Sequence, residues 1–301
     1  MKIRLPIALI LLCYAGSADT IELTNGRVLK GDLVGRVDRY IAIAQIEGRS
    51  AIERRVKVDE VQRIQFSDAF SKEEAVLASQ SGSPLQAISL LEPLVKRRSA
   101  YLDLIPPAEQ RLFALLLEAY IEVGREVDCL EQAKLWLPKT SEPKTRASIE
   151  ILQIQAAWQI DRRDEAAFYA TRWIESGKDA QETALPWNVL AANALEAGET
   201  ETALWTALNP IVFSRPKRPD QLEWSYELAI VAARQLGRVA HAKRLLEEMR
   251  ERDLAWPIES KWAAVAQELE MMDDPPTLSS QSNSTIESRG PNSLTRLVGR
   301  P

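Results

Sequence analysis

The sequence predicts a mainly α protein: an α-solenoid of stacked helical hairpins, preceded by a small five-stranded β-barrel and followed by a disordered C-terminal tail. Apolar residues recur at every second position within residues 19–67, and at i, i+3 and i+4 spacing within residues 72–272. Within residues 273–301 large apolar side chains become rare. Such a segment cannot bury enough surface to offset the entropy lost on ordering, so we expect the tail to be disordered.

The composition excludes several classes of function. The 301 residues include 38 Lys and Arg against 43 Asp and Glu, a formal net charge of −5, so a strongly basic nucleic-acid-binding surface is not expected. One His and two Cys leave little from which to build a zinc site, a His-based triad or a disulfide scaffold. We therefore expect no metal, no cofactor and no nucleic-acid partner.

Residues 1–18 have the features of a cleaved secretory signal peptide. Lys2 and Arg4 precede an apolar run, and Gly16–Ala18 offers small residues at the positions that a signal peptidase recognises. The apolar run is about ten residues, whereas a membrane-spanning helix needs roughly 20. We expect export to a Gram-negative periplasm, with no transmembrane span after cleavage; lipidation of Cys13 stays open.

Residues 19–67 have the pattern of five short strands. Ile21 and Leu23 alternate with polar residues, and Asn25-Gly26 is a strong hairpin signal. Five short strands in so few residues would leave open edges in a flat sheet. The pattern therefore favours a small closed barrel.

Within this segment, residues 21–41 resemble the first motif of the Sm-like fold. The motif is a strand, an Asn-Gly turn, a second strand with an inner glycine, here Gly31, and an aspartate before the third strand, here Asp38. Ala42 stands where Sm-like RNA binders carry the Asn that contacts the base, and residues 58–66 lack the Arg-Gly of the second motif. The resemblance implies the fold of a docking or capping element and does not imply RNA binding.

Eleven helical segments follow, joined mostly by short connections, several of which carry Gly or Pro, as antiparallel neighbours require. A turn residue is followed five positions later by a small residue in five places: Gly82 and Ala87, Gly124 and Cys129, Arg162 and Ala167, Gly198 and Ala203, and Gly237 and Ala242. The period of roughly 36 to 42 residues is close to that of two-helix repeats.

The best copy of this pattern contains Trp187, Leu190 and Ala191, followed by Gly198 and Ala203. It resembles the tetratricopeptide (TPR) pattern of Trp, Leu, a small residue, an aromatic residue, Gly and Ala at similar offsets, with Ala194 in place of the aromatic residue. The resemblance implies about five helical pairs that stack into a TPR-like superhelix with a concave surface. The exact number of repeats stays open.

The sequence contains eight Trp residues, all in the helical part, and they allow two interpretations. One is an aromatic-lined groove for an extended peptide or a glycan, and the other is filling of the space between helices. The residues are Trp136, Trp158, Trp173, Trp187, Trp205, Trp224, Trp256 and Trp262. The first interpretation keeps a cell-wall glycan-binding protein as the alternative function.

A basic loop interrupts two of the predicted helices. Arg215, Lys217 and Arg218 lie between prolines in a connection longer than its ends require, and such loops often bind a partner. We name these three residues as candidate contacts to an anionic partner or to lipid headgroups. The alternative is a solvated loop whose conformations are limited by its prolines.

Catalytic motifs are missing from the sequence. His241 lies on a helix rich in Arg and Glu, and Cys129 lies in an apolar helix where a small buried residue is expected. The sequence therefore predicts a non-enzyme: an exported scaffold or adaptor that binds a protein partner through its concave face, in an envelope complex. It leaves open the partner's identity, the oligomeric state and whether the barrel contacts the helices.

Overall fold

The computed structural model describes residues 18–47, 50–177, 183–216, 218–257 and 260–272. The predicted signal peptide up to residue 17, Lys217 and the predicted tail from residue 273 lie outside these ranges. Within them, the chain forms a five-stranded antiparallel sheet followed by eleven α-helices.

The sheet has the strand order β4-β3-β2-β1-β5, and all neighbouring strands are antiparallel. The strands are β1 (Asp19–Leu23), β2 (Val28–Val37), β3 (Tyr40–Glu47), β4 (Ser50–Lys57) and β5 (Val61–Gln65). Ile21, Ile41, Ile43 and Ile64 are fully buried on one face. Their common face accounts for the two-residue period of the sequence.

The sheet is not closed into a barrel, so the predicted barrel is wrong. β4 and β5 are its two edges and do not pair with each other. Instead, the Ile64 N–H donates a hydrogen bond of 3.2 Å to the carbonyl of Leu104, which precedes the third helix. Arg36 of β2 donates to the Ala100 carbonyl and forms an ion pair of 2.6 Å with Asp103. The helical part therefore contacts the β5 edge at Ile64, whereas β4 is paired only with β3 among the described strands.

Gly31 of β2 is required by the close approach of β3. A Cβ atom built on Gly31 would lie 2.1 Å from the carbonyl oxygen of Ala44. Any larger residue would have to displace β3, so the absence of a side chain at Gly31 has a steric role here.

The helical part is an α-solenoid of five hairpins, which confirms the predicted helical architecture. The helices are α1 (Ala69–Gln80), α2 (Pro84–Arg98), α3 (Pro107–Glu122), α4 (Glu126–Trp136), α5 (Pro143–Gln159), α6 (Arg163–Glu175), α7 (Leu185–Glu196), α8 (Thr200–Phe213), α9 (Pro219–Gln235), α10 (Val239–Glu251) and α11 (Ala263–Met271). The hairpins are the successive pairs from α1–α2 to α9–α10, and α11 packs after the last pair.

Each hairpin contributes one helix to each of two layers. The first helices, α1, α3, α5, α7 and α9, contact one another in succession, and each second helix up to α8 packs between the first helix of its own hairpin and that of the next. Because the first helices approach one another more closely than the second helices do, the stack bends toward the first helices. We call the exposed side of the first helices the inner face and that of the second helices the outer face.

Every hairpin turn holds a residue in the left-handed conformation. These residues are Gly82, Gly124, Asp161, Gly198 and Gly237. In each turn the next N–H donates to the carbonyl five residues earlier, as Arg125 does to Tyr120 at 2.8 Å. This arrangement satisfies the last carbonyl groups of the first helix and ends it.

The third hairpin lies one residue out of the predicted register. Its left-handed residue is Asp161, with φ of 60°, and not Arg162. Five positions on, the fully buried small residue is Ala166, whereas Ala167 is half-buried. Aspartate adopts this conformation more readily than most residues because its short side chain bonds locally. The equivalent small residues of the other hairpins are all fully buried: Ala87, Cys129, Ala203 and Ala242.

Two apolar clusters fill the molecule. The first runs without a break from the sheet to Val189 of α7, and the second runs from Ala191 to Leu269. Trp158 and Trp224 pack against both clusters, with ring centroids 5.5 Å apart. The sheet therefore shares its core with the first hairpins.

A buried charge network also joins the sheet to the first hairpins. Arg98 of α2 is fully buried and hydrogen-bonds Asp68 and Glu109, the latter at 2.7 Å. Arg97 pairs with the buried Asp19 of β1 at 2.6 Å and also with Asp68. We call these five residues the charge network. The sequence left open whether the β-strands contact the helices, and this network shows that they do.

Candidate functional site

The inner face carries a groove of 430 Å³ between α3 and the start of α5, which we call the inner groove. Side chains that line it include Arg111, Ala114, Leu115, Glu118, Lys144 and Ser148. Ala114 and Leu115 are almost fully buried and form an apolar floor. Charged and polar side chains stand around that floor.

The sequence of α3 explains this arrangement. Residues 112–117 are all buried, whereas Arg111, Glu118 and Glu122 are exposed. Their spacing of seven and four residues places them on one face of the helix. α3 therefore packs against its neighbours on most sides and leaves a single charged stripe on the inner face.

The groove carries charges of opposite sign at its two ends. Arg111 and Lys144 lie near the N-terminal ends of α3 and α5, and Glu118 lies two turns further along α3, about 10 Å from Arg111 at 1.5 Å per residue. Neither Arg111 nor Glu118 makes a hydrogen bond or ion pair with another described residue. Both remain available to a ligand.

Glu118 lies in an electrostatic setting that favours a cationic ligand. Burial among the protein atoms of the groove raises the pKa of its carboxyl, Arg111 opposes that rise, and the charge of Glu122 adds to it. The side chain is nevertheless exposed to solvent. A carboxylate with reduced hydration that solvent can still reach interacts strongly with an incoming cation.

At the start of α5, Glu142 fixes one wall of the groove. Its carboxylate accepts hydrogen bonds from the backbone N–H groups of Lys144, at 3.1 Å, and of Thr145. The bond with Thr145 is the largest cause that lowers the pKa of Glu142. This N-cap satisfies helix donors and holds the Lys144 backbone at the mouth of the groove.

The structure separates the predicted basic loop from this groove. Arg215 and Arg218 lie between α8 and α9, and neither lines the inner groove. Arg218 pairs with Asp220 at 2.7 Å, while Arg215 is exposed and has no partner among the described residues. Lys217 lies outside the described ranges, so the described part of the loop offers one uncommitted cation.

Most of the Trp residues fill space between helices. Trp136 and Trp173 are buried, Trp158, Trp187, Trp224, Trp256 and Trp262 are half-buried, and Trp205 is 58% exposed. The described lining of the inner groove contains no aromatic side chain. The indoles therefore do not form an aromatic wall along this groove.

The remaining candidate groups have ordinary structural settings. Burial, with a smaller contribution from Glu126, raises the pKa of the Cys129 thiol to about 12, so it stays protonated and unreactive. Within the described ranges, no three His, Cys, Asp or Glu side chains converge to hold a metal ion. None of the helices described combines the length and apolarity needed to cross a bilayer.

Arg111, Glu118 and Lys144 are the functional candidates that sequence reasoning missed. The available signal was the charged pair seven residues apart in an otherwise apolar stretch of α3. No comparable local signal indicates that Lys144 lies across the groove from them.

Comparison with known proteins adds a likeness of fold alone. No family model matches the sequence, and no curated protein matches it. Among solved structures, MamA is 17% identical and aligns over 60% of this chain and 96% of its own, with a TM-score of 0.46. BtubC from P. vanneervenii is 16% identical over 73% of this chain and 86% of its own, with a TM-score of 0.47. A structure of TPR-like repeats from a Podosopora anserina kinesin light chain is 18% identical to this chain. It aligns over 60% of this chain and 92% of its own, with a TM-score of 0.45.

Proposed function

We propose that this chain is an exported, non-catalytic scaffold that holds an extended segment of a protein partner in the inner groove. The observation that carries the proposal is the groove's construction. An apolar floor of Ala114 and Leu115 lies beside two uncommitted charges of opposite sign, Arg111 and Glu118. Apolar burial supplies affinity, and the charges select the partner and its direction.

The spacing of the charges defines the preferred partner. An extended chain rises about 3.3 Å per residue, so the distance of about 10 Å between Arg111 and Glu118 spans about three residues. Because side chains two or four residues apart share one face of an extended chain, a segment with an acidic and a basic side chain at either spacing can pair with both ends. Lys144 adds a second cation at the end that would receive the acidic side chain.

Export is part of the proposal and rests on residues 1–18. The first strand begins at Asp19, so removal of those residues would leave the sheet and the charge network intact. A place in an envelope complex of a Gram-negative periplasm is the setting that we propose. N-terminal sequencing of the mature protein from cell fractions should give Asp19; an uncleaved chain in the cytoplasmic fraction would contradict export.

Site-specific photo-crosslinking in intact cells tests the groove. A photoreactive residue at Ser148 should give a discrete protein adduct, and one at the exposed Leu135 of α4 should not. The double charge reversal Arg111→Glu with Glu118→Arg should abolish the adduct. The matched control reverses the exposed pair Arg238–Glu201, which lies outside the groove, and should leave the adduct unchanged.

Two results would contradict the groove proposal. One is equal crosslinking from Ser148 and Leu135, and the other is an adduct that survives reversal of Arg111 and Glu118. Once the adduct is identified, a synthetic peptide of the crosslinked segment should bind the wild-type chain and lose at least tenfold in affinity to the charge-reversed one.

Glycan binding is a second candidate, favoured by the exposure of Trp205 on α8. A sugar ring can stack on an exposed indole. Cell-wall fragments should then quench tryptophan fluorescence in the wild type and not in Trp205→Phe. Quenching that is equal in both proteins, or absent from both, would remove this candidate.

A further inference from the structure

A second cavity lies on the outer face, between α4, α5 and α6, with a volume of 500 Å³. Side chains from all three helices line it, among them Gln153 of α5 and Arg172 and Trp173 of α6. None of these residues lines the inner groove, and the proposed scaffold function does not use them. We call this site the outer cavity.

Two polar side chains at the outer cavity are buried without a hydrogen-bond partner. Gln153 is 6% exposed, and its amide bonds to no other described residue. Trp173 is 5% exposed, and its indole Nε1–H also has no partner in the described part of the chain. The Trp173 Nε1 is enclosed by protein atoms, whereas the Gln153 amide is not, so the amide is the unpaired group that a ligand in the cavity can reach.

The charge of the cavity favours an anion. Lys134, Arg146 and Arg172 line it, against the single acidic residue Glu150. The cavity wall therefore has an excess of positive charge, although the chain as a whole is acidic. A local excess of one sign raises the concentration of oppositely charged ligands.

Of the three cations, Arg172 is the one without a hydrogen-bond or ion-pair partner among the described residues, although its guanidinium lies 5.7 Å from the centroid of the Phe168 ring. Lys134 pairs with Glu165 at 2.5 Å, and Arg146 donates to the Thr140 carbonyl at 2.6 Å. Arg172 makes no hydrogen bond or ion pair with a described residue. Its guanidinium is free to pair with an anion, while Lys134 and Arg146 contribute their charge at longer range.

We propose that the outer cavity binds a small molecule that carries a carboxylate or phosphate oxyanion. The Gln153 amide and the Arg172 guanidinium would donate to its oxygens, and the enclosed Trp173 side chain forms part of the wall. Both groups offer N–H donors, and the guanidinium can only donate, so an acceptor-rich ligand satisfies them together. Leu137 and Pro138 supply apolar surface for its carbon skeleton, and the volume is within the usual range of small-molecule sites.

The indole N–H signals of the full-length protein provide a direct test. The protein is labelled with ¹⁵N-tryptophan, and the Trp173 signal is identified by its loss in Trp173→Phe. Titration with inorganic phosphate and, separately, with succinate should shift the Trp173 signal saturably for at least one of them. Trp256 is the internal control, because its Nε1–H is also buried and unpaired but does not line the outer cavity.

The two probes distinguish the two sources of an oxyanion. A saturable shift with phosphate and not with succinate assigns a phosphate ligand, and the reverse assigns a carboxylate ligand. Failure of both probes to shift Trp173 at millimolar concentration overturns the proposal. An equal shift of Trp173 and Trp256 indicates a general ionic effect and also overturns it.

Variants test which groups bind. Arg172→Gln should weaken binding of the active probe at least tenfold, and Gln153→Glu, which keeps the shape and adds a negative charge, should abolish it. Arg244→Gln removes an exposed arginine from α10, outside the cavity, and should leave binding unchanged. Unaltered binding in Arg172→Gln would overturn the assignment even if Gln153→Glu fails to fold. The outcome is independent of the inner groove, which these variants do not touch.

Discussion

The connection between the sheet and the first hairpins is built differently from the contacts within each hairpin. The charge network at the sheet buries Arg98 and Asp19 completely, together with carboxylates that bind the two arginines. Within the hairpins, contact depends on one fully buried small residue each: Ala87, Cys129, Ala166, Ala203 and Ala242. A small residue suits any pair of helices and can recur, whereas a charge network needs one particular set of partners. The repeated contact and the unique contact therefore use different chemistry.

The largest expected effect comes from breaking the charge network. Arg98→Met removes the cation that both Asp68 and Glu109 bind, and leaves their carboxylates with reduced pairing in a buried site. We expect a loss of about 3–5 kcal/mol in the free energy of unfolding, measured by urea denaturation followed by circular dichroism.

Arg125→Met is the matched control for that variant. Arg125 also pairs with two carboxylates, Glu92 at 2.9 Å and Asp128 at 2.6 Å, and stacks on the Tyr120 ring at 4.2 Å, but the three charged side chains are 40–47% exposed. Its loss should cost less than about 1 kcal/mol because water screens exposed pairs. Equal costs for Arg98→Met and Arg125→Met would show that burial of charge does not hold the sheet to the helices.

The second effect tests the small-residue contact and its register. Ala166→Leu forces a larger side chain into a fully buried position and should cost about 1–3 kcal/mol. Ala167→Leu, at the neighbouring half-buried position, should cost less than about 0.5 kcal/mol. Urea denaturation of the two variants decides between the observed register and the one predicted from sequence, and the reverse ranking would favour the latter.

A third and smaller effect concerns the hairpin turns. Gly198 has φ of 79°, and a Cβ there would meet no atom within 4 Å, so Gly198→Ala tests backbone strain alone. It should lower the free energy of unfolding by about 1 kcal/mol. Asp161→Gly, at the equivalent turn, should cost nothing. A neutral Gly198→Ala would mean that the left-handed turn residue does not limit hairpin stability.

The smallest effect is on the pH dependence of folding stability, which should have opposite signs for Asp68 in the charge network and for Glu227 in α9. Hydrogen bonding and charge from Arg98 outweigh the effect of burial and lower the pKa of Asp68 from 3.8. Its contribution to stability is therefore present above that value and is lost as the pH falls through the folded-state pKa. Burial raises the pKa of Glu227 in α9, although Ser260 and Lys261 oppose the rise. Ionised Glu227 therefore destabilises the fold at neutral pH, and this penalty disappears as the pH falls.

Glu227→Gln should accordingly stabilise the protein by about 0.5 kcal/mol at pH 7, because the amide can still accept the Ser260 hydrogen bond without a buried charge. The gain over wild type should shrink as the pH is lowered from 7 to 4, as followed by thermal melts. A gain that grows on acidification would contradict the raised pKa.

The hairpins could be predicted because their signals are local. A glycine at four of the five left-handed turns and a small residue five positions later lie within one short window, and the packing repeats that unit. The third hairpin was misplaced by one residue because aspartate replaces glycine at Asp161. Backbone conformation, not residue type, defines that turn.

The open sheet could not be predicted, because the group that bonds the edge of β5 lies far along the chain. Nothing near Ile64 in sequence indicates that the Leu104 carbonyl will accept its N–H. The charge network has the same property, since Asp19, Asp68 and Arg98 come together only after the first hairpin docks.

The candidate sites were visible only in part. The charged spacing of Arg111 and Glu118 is a property of one helix, but their position opposite Lys144 depends on how α3 and α5 pack. Gln153 and Trp173 resemble ordinary helix residues in the sequence. Their lack of partners is a property of the three-dimensional packing alone.

The occupied edge of β5 has a consequence for self-association. Growth of a fibre or a ring through backbone pairing needs two exposed sheet edges in every copy, because each copy must pair with one neighbour at each edge. In the described part of this chain β4 has a free outer edge, while the Leu104 carbonyl occupies that of β5. The bond to Leu104 therefore removes the Ile64 N–H from the donors that an added strand would need at β5.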